Sequence, residues 1–289
     1  MRCAAVDIGT NSCRLLIAET GGEQWKVLHR TMVTTRIGEG VDRQRVINPA
    51  AMERTVRGLL ILQEHMTRFR AERLRAVGTS ALRDAVNREE FVEKVRQELN
   101  WQVEVISGEE EARLSYLGVR CGLSLDQPPL VVDLGGGSTE FMLENPQPWN
   151  ISLPVGAVRA AETGMSDQQI SELLKPAASR FSALGSPMVV VGGTATTLVA
   201  MQRGLKKYDS RLVHGQKLTV DQVKYWRDYL SAMTLEERRQ VTGLQPERAD
   251  IIVPGIRILA LIMDLLGYEE ILVSESDILD GIIAELSAD

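Results

Sequence analysis

The strongest constraint on the fold is a segment that occurs twice in the 289-residue sequence. VDIGTNSCRLLIAE begins at Val6, and VDLGGGSTEFMLE begins at Val132, a constant offset of 126 residues. Each copy reads as an apolar strand that ends at an aspartate, then a turn of glycine and small polar residues, then a second strand. Two aligned copies of one strand–turn–strand unit predict a chain built from two similar halves.

Strands and helices alternate along both halves. The strands predicted around the two copies are Cys3–Ile8, Ser12–Ala18 and Gln24–Thr34, and Leu130–Leu134, Ser138–Leu143 and Pro148–Leu153. Capping residues mark helix starts, among them Asn48 before Pro49 and Asn87 with a capping-box Glu90. Strands mixed with helices throughout predict an α/β fold. The Gly-, Ser- and Pro-containing run Cys121–Pro129 marks a boundary, so we expect domains at 1–124 and 125–289.

Composition and charge exclude several classes of protein. The net charge of −6 gives no general attraction for polyanions, so we expect no nucleic-acid partner and local groups for any phosphate-rich ligand. No run approaches the roughly 20 apolar residues of a membrane span, and the N-terminal apolar run is too short for a signal peptide. The three cysteines have neither a CxxC pair nor metal-ligand spacing, which indicates thiols in a reducing compartment. We therefore expect a cytoplasmic chain without a membrane partner.

The repeated turns have the chemistry of a phosphate site. Glycine allows the backbone to bring successive N–H groups into one concavity, where they bind an anion, and an aspartate at the strand end can hold a cation beside it. The alternative is two ordinary hairpins with glycine-rich turns. Arg14 in the first copy aligns with Glu140 in the second. The first half therefore offers a cation to phosphate, and the second offers another carboxylate to a metal.

Further motifs follow in order along the chain: TRIGEGV (Thr35–Val41), VGTSALRDAVN (Val77–Asn87), VISGEEEARLSYLGV (Val105–Val119), and VGGTATTL (Val191–Leu198) after VVDLGGGSTE. Together with the two turns, they resemble the exopolyphosphatase/guanosine pentaphosphate phosphohydrolase (Ppx/GppA) family of the actin-like ATPase superfamily, over nearly the whole chain. The resemblance implies two actin-like (ribonuclease H-like) domains with mixed sheets flanked by helices and an active site in the interdomain cleft, as in the short, two-domain members.

The resemblance also implies an activity. Family members use Mg²⁺ to hydrolyse terminal phosphoanhydride bonds of inorganic polyphosphate, which releases orthophosphate, or to remove the 5′ γ-phosphate of pppGpp. A (p)ppGpp- or polyphosphate-binding regulator with little turnover stays open as an alternative, and so does a homodimer. A sugar or acid kinase of the same superfamily is disfavoured, because such kinases lack the SGEEEAR motif.

The same resemblance assigns roles to individual residues. Glu111 matches the glutamate that activates water; its neighbour Glu110 stands at the capping-box position relative to Ser107, and Glu109 begins a helix. Asp133 and Glu140 match the carboxylates associated with the metal, and Asp7 is a weaker metal candidate. The residues expected to bind phosphate are Thr10, Asn11, Ser12, Arg83, Gly135, Gly136, Gly137, Ser138, Gly193 and Thr194.

The sequence departs from the family pattern near its end. Where the family often has a run of the type S-x-x-G-L-R-E-G, this chain has SESDILDG (Ser274–Gly281), with Leu279 at the arginine position. Any phosphate contact made by that arginine is therefore absent. The basic segment RGLKKYDSRLVHGQK (Arg203–Lys217) is interpreted as a solvated loop, with a path for a chain substrate as the alternative.

Overall fold

The structure, a computed structural model, describes residues 1–21, 25–144, 149–181 and 185–288. Gln24 and Pro148, where two of the predicted strands were expected to begin, lie outside these ranges. The chain divides into two compact units. Unit 1 contains Met1–Cys121 and the closing segment from Ile278, and unit 2 contains Gly122–Asp277.

Unit 1 is built on a five-stranded mixed sheet. Its strands are β1 (Arg2–Ile8), β2 (Ser12–Glu19), β3 (Lys26–Thr34), β4 (Arg73–Gly78) and β5 (Val103–Val105), in the spatial order β3-β2-β1-β4-β5. The helices between β3 and the end of this part of the chain are α1 (Val41–Gln44), α2 (Pro49–Phe69), α3 (Ser80–Asp84), α4 (Arg88–Leu99) and α5 (Gly108–Gly122), the last of which ends at the first residue of unit 2.

Helix starts in unit 1 show where local capping signals decide the structure and where they do not. The Asn48 side chain accepts a hydrogen bond from Ala50 N at 2.8 Å, which confirms the predicted cap before Pro49. The capping box predicted at Asn87 is wrong, because the Asn87 amide is used elsewhere. Its Oδ1 accepts from Ile47 N at 2.8 Å and its Nδ2 donates to Ile47 O at 3.1 Å. A tertiary contact has replaced the local cap.

Unit 2 is built on a six-stranded mixed sheet. Its strands are β6 (Leu130–Leu134), β7 (Thr139–Leu143), β8 (Trp149–Leu153), β9 (Met188–Val191), β10 (Gln216–Thr219) and β11 (Glu270–Val273), in the order β10-β11-β9-β6-β7-β8. The helices are α6 (Ala157–Thr163), α7 (Asp167–Phe181), α8 (Gly193–Gln202), α9 (Ser210–Val213), α10 (Val220–Ser231), α11 (Leu235–Arg238) and α12 (Ile252–Leu266), with a 3₁₀ turn at Pro246–Arg248.

The internal repeat is present in the sheets as well as in the sequence. In each unit the first strand pairs antiparallel with the second and parallel with the fourth, and the third lies outside the second. The registers also agree: Asp7 is the partner of Arg14, and Asp133 is the partner of Glu140. The predicted α/β class with mixed sheets and flanking helices is confirmed.

The last helix differs from the expected division at 1–124 and 125–289. Helix α13 (Ile278–Ala288) belongs to unit 1, where it packs on β1 and β2. The reason lies in β1, whose side chains are buried on both faces of the sheet. Ala4, Val6 and Ile8 join one core, while Cys3 and Ala5 face a second core completed by α13. Without this helix, that apolar face would lie open to water.

Contacts along α13 fit this position. Leu279, at the family's arginine position, is 1% exposed in the second core. Asp280 accepts a hydrogen bond from Arg30 Nη2 at 2.6 Å. Gly281 passes so close to the Leu114 carbonyl that any side chain would overlap it. The departure at Leu279 therefore places an apolar side chain where this helix meets the sheet.

Candidate active-site residues

The glycine turn after β6 is held from one side by the start of α6. Gly135 N donates to Ser138 O at 3.0 Å and closes the turn. The carbonyl of Gly135 accepts from Ala157 N at 3.0 Å, and the carbonyl of Gly136 accepts from Val158 N at 2.8 Å. A side chain at the residue before α6, Gly156, would overlap the Gly136 carbonyl, so glycine is needed there.

These hydrogen bonds from α6 to the turn carbonyls also orient the N–H groups of the turn. A trans peptide unit is planar, and its C=O and N–H point in opposite directions. Because the carbonyls of Gly135 and Gly136 point toward α6, the N–H groups of Gly136 and Gly137 point away from it. Successive N–H groups that face one side form an anion-binding concavity. The sequence expectation of a phosphate turn at Gly135–Ser138 thus has a matching backbone geometry.

A row of polar side chains crosses the sheet beside this turn. Asp133 on β6, Glu140 on β7 and Ser152 on β8 are successive partners across the three strands. Asp133 and Glu140 are both buried, and Ser152 Oγ donates to Glu140 Oε1 at 2.6 Å. Two carboxylates on one face of paired strands repel each other unless a positive charge lies with them.

These donors suit a hard divalent cation. Within the described ranges, no group of three or more His, Cys, Asp or Glu residues is arranged to hold a metal ion. A cation that uses one or two carboxylates and completes its coordination with water and phosphate oxygens does not require such a group. Asp133 and Glu140 therefore fit an ion that is held jointly by the protein and a phosphate ligand.

The corresponding pair in unit 1 already contains its own positive charge. Arg14 Nε and Nη2 donate to Asp7 Oδ2 at 2.9 and 2.7 Å, and Asp7 is buried. Asp7 is therefore bound to a guanidinium, whereas the strand partner of Asp133 is a second carboxylate, that of Glu140. Arg14 was expected to serve a phosphate directly; its contact with Asp7 also holds it beside the first turn.

In the first turn, as in the second, backbone N–H groups of another segment bind the carbonyls of the turn. Gly9 N donates to Ser12 O at 3.1 Å, the equivalent of the bond that closes the second turn. The carbonyl of Thr10 accepts from Gly38 N at 3.0 Å, and the carbonyl of Asn11 accepts from the N–H groups of the segment that begins at Thr35. Asn11 Nδ2 donates to Ser12 Oγ at 3.1 Å. The TRIGEGV motif therefore supports the turn that contains the candidate phosphate ligands.

Glu111 and Arg83 form the third group of candidates. Arg83 Nη1 donates to Glu111 Oε2 at 3.0 Å and to Ile106 O at 3.1 Å. Glu111 is buried in the first turn of α5, and its N–H donates to Ser107 O at 3.0 Å. The structure thus brings together two residues that the sequence could assign only separately. The arginine fixes the orientation of the carboxylate.

The neighbouring acids have structural contacts, as the sequence predicts for Glu110. Ser107 Oγ accepts from Glu110 N at 3.2 Å, while the Glu110 carboxylate binds Arg113 Nε at 2.7 Å. The pKa of Glu110 is lowered, first by Arg113. The pKa of Glu109 is also lowered, by its own backbone N–H and by Ser107. Both acids are held in the ionised form by local partners.

Sequence reasoning missed one residue at the start of α8. Any side chain at Gly193 would overlap the Arg248 guanidinium, so Arg248 lies directly against the first residue of this helix. Arg248 Nε also donates to Gln245 Oε1 at 3.1 Å. The N-terminus of a helix is itself positive, so the Gly193–Thr194 region combines two features that attract an anion. Arg248 lies in the segment Gly243–Gly255, and its contact with Gly193, about 50 residues away in the sequence, depends on the tertiary fold.

The basic segment, the cysteines and the membrane-span expectation concern parts of the chain outside these candidate groups. The basic segment Arg203–Lys217 is not a loop throughout, because it contains α9 and the start of β10. Its ion pairs, Arg211 with Asp209 and Lys217 on β10 with Glu270 on β11, are those of a solvated surface. Cys3, Cys13 and Cys121 are free, and burial raises the pKa of Cys13 to about 12. Within the described residues, no helix combines the length and apolar character needed to cross a membrane.

Comparisons with known proteins identify the family and the architecture of this chain. The model of the Ppx/GppA phosphatase family matches residues 16–288. Exopolyphosphatase 2 of Mycobacterium tuberculosis is 37% identical over an alignment 315 residues long, which covers 99% of this chain and 98% of that protein. The crystal structure of the Aquifex aeolicus family member superposes with a TM-score of 0.82 at 32% identity, covering 100% of this chain and 98% of the other. Two actin-like domains are therefore the architecture of this chain.

A third relative is a longer protein. The bifunctional 3-dehydroquinate synthase/phosphatase of Fusobacterium nucleatum is 33% identical over an alignment 309 residues long. The alignment covers 98% of this chain but only 46% of that relative, so the chain spans about half of its length.

Proposed function

Because the chain belongs to the Ppx/GppA phosphatase family, we propose that it is an exopolyphosphatase, which hydrolyses the terminal phosphoanhydride bond of inorganic polyphosphate and releases orthophosphate. The observation that carries the proposal is the Asp133–Glu140 pair next to the backed glycine turn. This arrangement supplies cation ligands and anion-binding N–H groups side by side, which phosphoryl transfer requires.

In this proposal, the two turns and the arginine side chains near the candidate residues bind the phosphates of the substrate. The turn N–H groups and the hydroxyls of Thr10, Ser12 and Ser138 donate to phosphate oxygens, and Asn11 completes the first turn. Gly193 and Thr194 with Arg248 bind a further phosphate. Preorganised donors of this kind stabilise the charge that develops on a transferring phosphoryl group.

Asp133 and Glu140 would hold Mg²⁺ in this proposal. When bound, the ion neutralises charge on the phosphoryl oxygens. Asp7 has a smaller part, because the Arg14 guanidinium already neutralises it. Asp7 then orients Arg14 toward the phosphate that lies in the first turn.

Glu111 acts as the general base. Its carboxylate takes a proton from water as the water oxygen forms a bond to the terminal phosphorus. The bond from that phosphorus to the bridging oxygen breaks, and the shortened polyphosphate leaves with the electron pair. Arg83 holds Glu111 in place, and its guanidinium also binds a phosphate of the substrate, the role that the family resemblance implies for it. We further propose that the chain works in the cytoplasm.

The substrate is tested by measuring orthophosphate release from long-chain polyphosphate, tripolyphosphate, pppGpp and ATP, each with Mg²⁺. We expect the highest kcat/KM with long-chain polyphosphate. If pppGpp is hydrolysed faster than polyphosphate, pppGpp is the substrate and the proposed mechanism is unchanged. Binding of these ligands without any phosphate release would overturn the enzyme assignment in favour of a regulator.

The base is tested with Glu111→Gln and the matched control Glu109→Gln. The control removes the same charge from the exposed acid two positions earlier in the helix. We expect Glu111→Gln to lower kcat by about a hundredfold or more while tripolyphosphate still binds, because general-base catalysis contributes about 10² to 10⁴. Glu109→Gln should leave kcat within about twofold. Full activity in Glu111→Gln would refute the assignment of the base.

A further inference from the structure

We propose that Arg159 is a positioning residue, which holds the Gly137 carbonyl so that the N–H of Ser138 faces the bound phosphate. The inference rests on the proposed function, since it concerns how the second turn binds the transferring phosphoryl group. Arg159 lies in α6, three residues after Gly156, and was not among the residues singled out in the sequence.

Arg159 contacts the turn with both its backbone and its side chain. Its N–H donates to Gly136 O at 3.0 Å, and its Nε donates to Gly137 O at 2.6 Å. One residue therefore binds two successive carbonyls of the turn. The main chain of α6 binds the carbonyls of Gly135 and Gly136. The side chain of Arg159 binds the next carbonyl, that of Gly137.

The consequence follows from the peptide plane. The Gly137 carbonyl and the Ser138 N–H belong to one trans peptide unit and point in opposite directions. With Gly137 O directed at Arg159, the Ser138 N–H lies on the face away from α6. It thereby joins the N–H groups of Gly136 and Gly137. Three consecutive donors on one side form a deeper anion site than two.

The first turn shows why a side chain is needed here. Its corresponding carbonyl, that of Asn11, accepts from two backbone N–H groups, Thr35 N at 3.1 Å and Arg36 N at 2.8 Å. The second turn has the guanidinium of Arg159 at this place. It also consists of three glycines, the residue type with the most backbone freedom to lose. In the second turn, the orientation of the Gly137–Ser138 peptide therefore rests on a side-chain hydrogen bond, whereas the preceding peptides are held by main-chain bonds.

An alternative is that Arg159 only stabilises the packing of α6. The two possibilities differ in what the substitution changes. A packing role predicts that activity falls in proportion to stability. A positioning role predicts that activity falls while the protein stays folded, and that a shorter cationic donor restores part of the loss.

The test compares Arg159→Gln and Arg159→Lys with the control Arg238→Gln. Arg238 makes the same kind of bond in the same unit, from Nε to the Leu230 carbonyl at 2.8 Å, and is not in contact with the turn. For each variant, kcat and KM with tripolyphosphate, the binding of tripolyphosphate and the thermal midpoint are measured. We expect kcat for Arg159→Gln to fall by about tenfold to a hundredfold, with partial recovery in Arg159→Lys and kcat within about twofold of wild type in Arg238→Gln.

Three results would overturn the inference: unchanged kcat in Arg159→Gln, equal losses in Arg159→Gln and Arg238→Gln, or a loss accompanied by a matching fall in thermal midpoint. Failure of the proposed function is a different observation, since wild type would then release no orthophosphate. Tripolyphosphate binding would still test the inference in that case. Weaker binding in Arg159→Gln than in Arg238→Gln supports it, and equal binding refutes it.

Discussion

Asp133 lies directly opposite Glu140 in the paired strands β6 and β7, at the position where Asp7 lies opposite Arg14 in β1 and β2. The two units thus share a strand register and differ in the charge of one partner. In unit 1 the pair neutralises itself through two hydrogen bonds to Asp7 Oδ2. In unit 2 the pair consists of two buried carboxylates, which require a positive charge from outside the pair.

This difference predicts that Mg²⁺ stabilises the folded protein through Glu140. Wild type should gain about 2.7 kcal/mol of unfolding free energy at Mg²⁺ concentrations 100-fold above the Kd, and Glu140→Gln should lose most of that gain. Without metal, Glu140→Gln should be at least as stable as wild type, because one like charge is gone. Thermal unfolding with and without Mg²⁺ measures both effects. Glu144→Gln, at an exposed position just after β7, is the control. An undiminished Mg²⁺ effect in Glu140→Gln would place the ion elsewhere.

The Asp7–Arg14 pair predicts a large coupling energy. Arg14→Met leaves the buried Asp7 carboxylate without its guanidinium and should cost about 2 kcal/mol. This is below the roughly 3–5 kcal/mol of a fully buried pair, because the Arg14 side chain is 26% exposed. Combining it with Asp7→Asn should recover part of the loss. Urea unfolding of both single variants and the double variant measures the coupling, and strictly additive losses would contradict the pairing.

The position of Leu279 makes a prediction about the departure from the family pattern. Leu279→Arg restores the arginine of that pattern but places a charge in the core completed by α13, so it should cost about 3 kcal/mol or more. The control is Leu265→Arg, at a leucine that is 37% exposed, with an expected change of about 0.5 kcal/mol or less. Urea unfolding compares the two. A stable Leu279→Arg variant would show that α13 can move or repack around the charge.

The stack of His29 on His65 and Phe69 predicts a loss of stability in mild acid. The ring centroids lie 4.5 and 4.8 Å apart, and His29 Nε2 is buried without a hydrogen-bond partner in the described part of the chain. Burial lowers the pKa of His29 below 6.5, with help from the nearby His65 and Arg68. The unfolded chain then binds more protons than the folded one, so unfolding free energy falls as pH drops below about 6.5.

The variant His29→Phe tests this source of pH dependence. Phenylalanine keeps an aromatic ring in the stack and removes the titrating group. Unfolding free energy measured between pH 7.5 and 5.5 should fall less steeply in His29→Phe than in wild type. Equal slopes in the two proteins would assign the pH dependence to other groups.

Much of the fold and many candidate residues could be predicted from the sequence, because those features depend on local pattern. The constant offset between the two copies predicted that both units pair their first two strands in the same register, with Asp133 equivalent to Asp7. The alternation of strands and helices gave the α/β class, and the order of motifs indicated the family. Asn48 also capped its helix as expected, since its partner Ala50 N is two residues away.

The tertiary structure alone decided which distant groups meet. It joined Arg83 to Glu111, placed Arg248 against Gly193, and turned Asn87 from a helix cap into a partner of Ile47. It also moved the last helix to unit 1, because the second face of β1 needed an apolar cover that no sequence neighbour supplies. A periodic sequence determines which residues share a strand or a turn; contacts between segments depend on how the elements pack, which local pattern does not contain. Thus the sequence alone determined the paired turns and the carboxylates beside them, and packing decided which side chains from distant segments contact the candidate site residues.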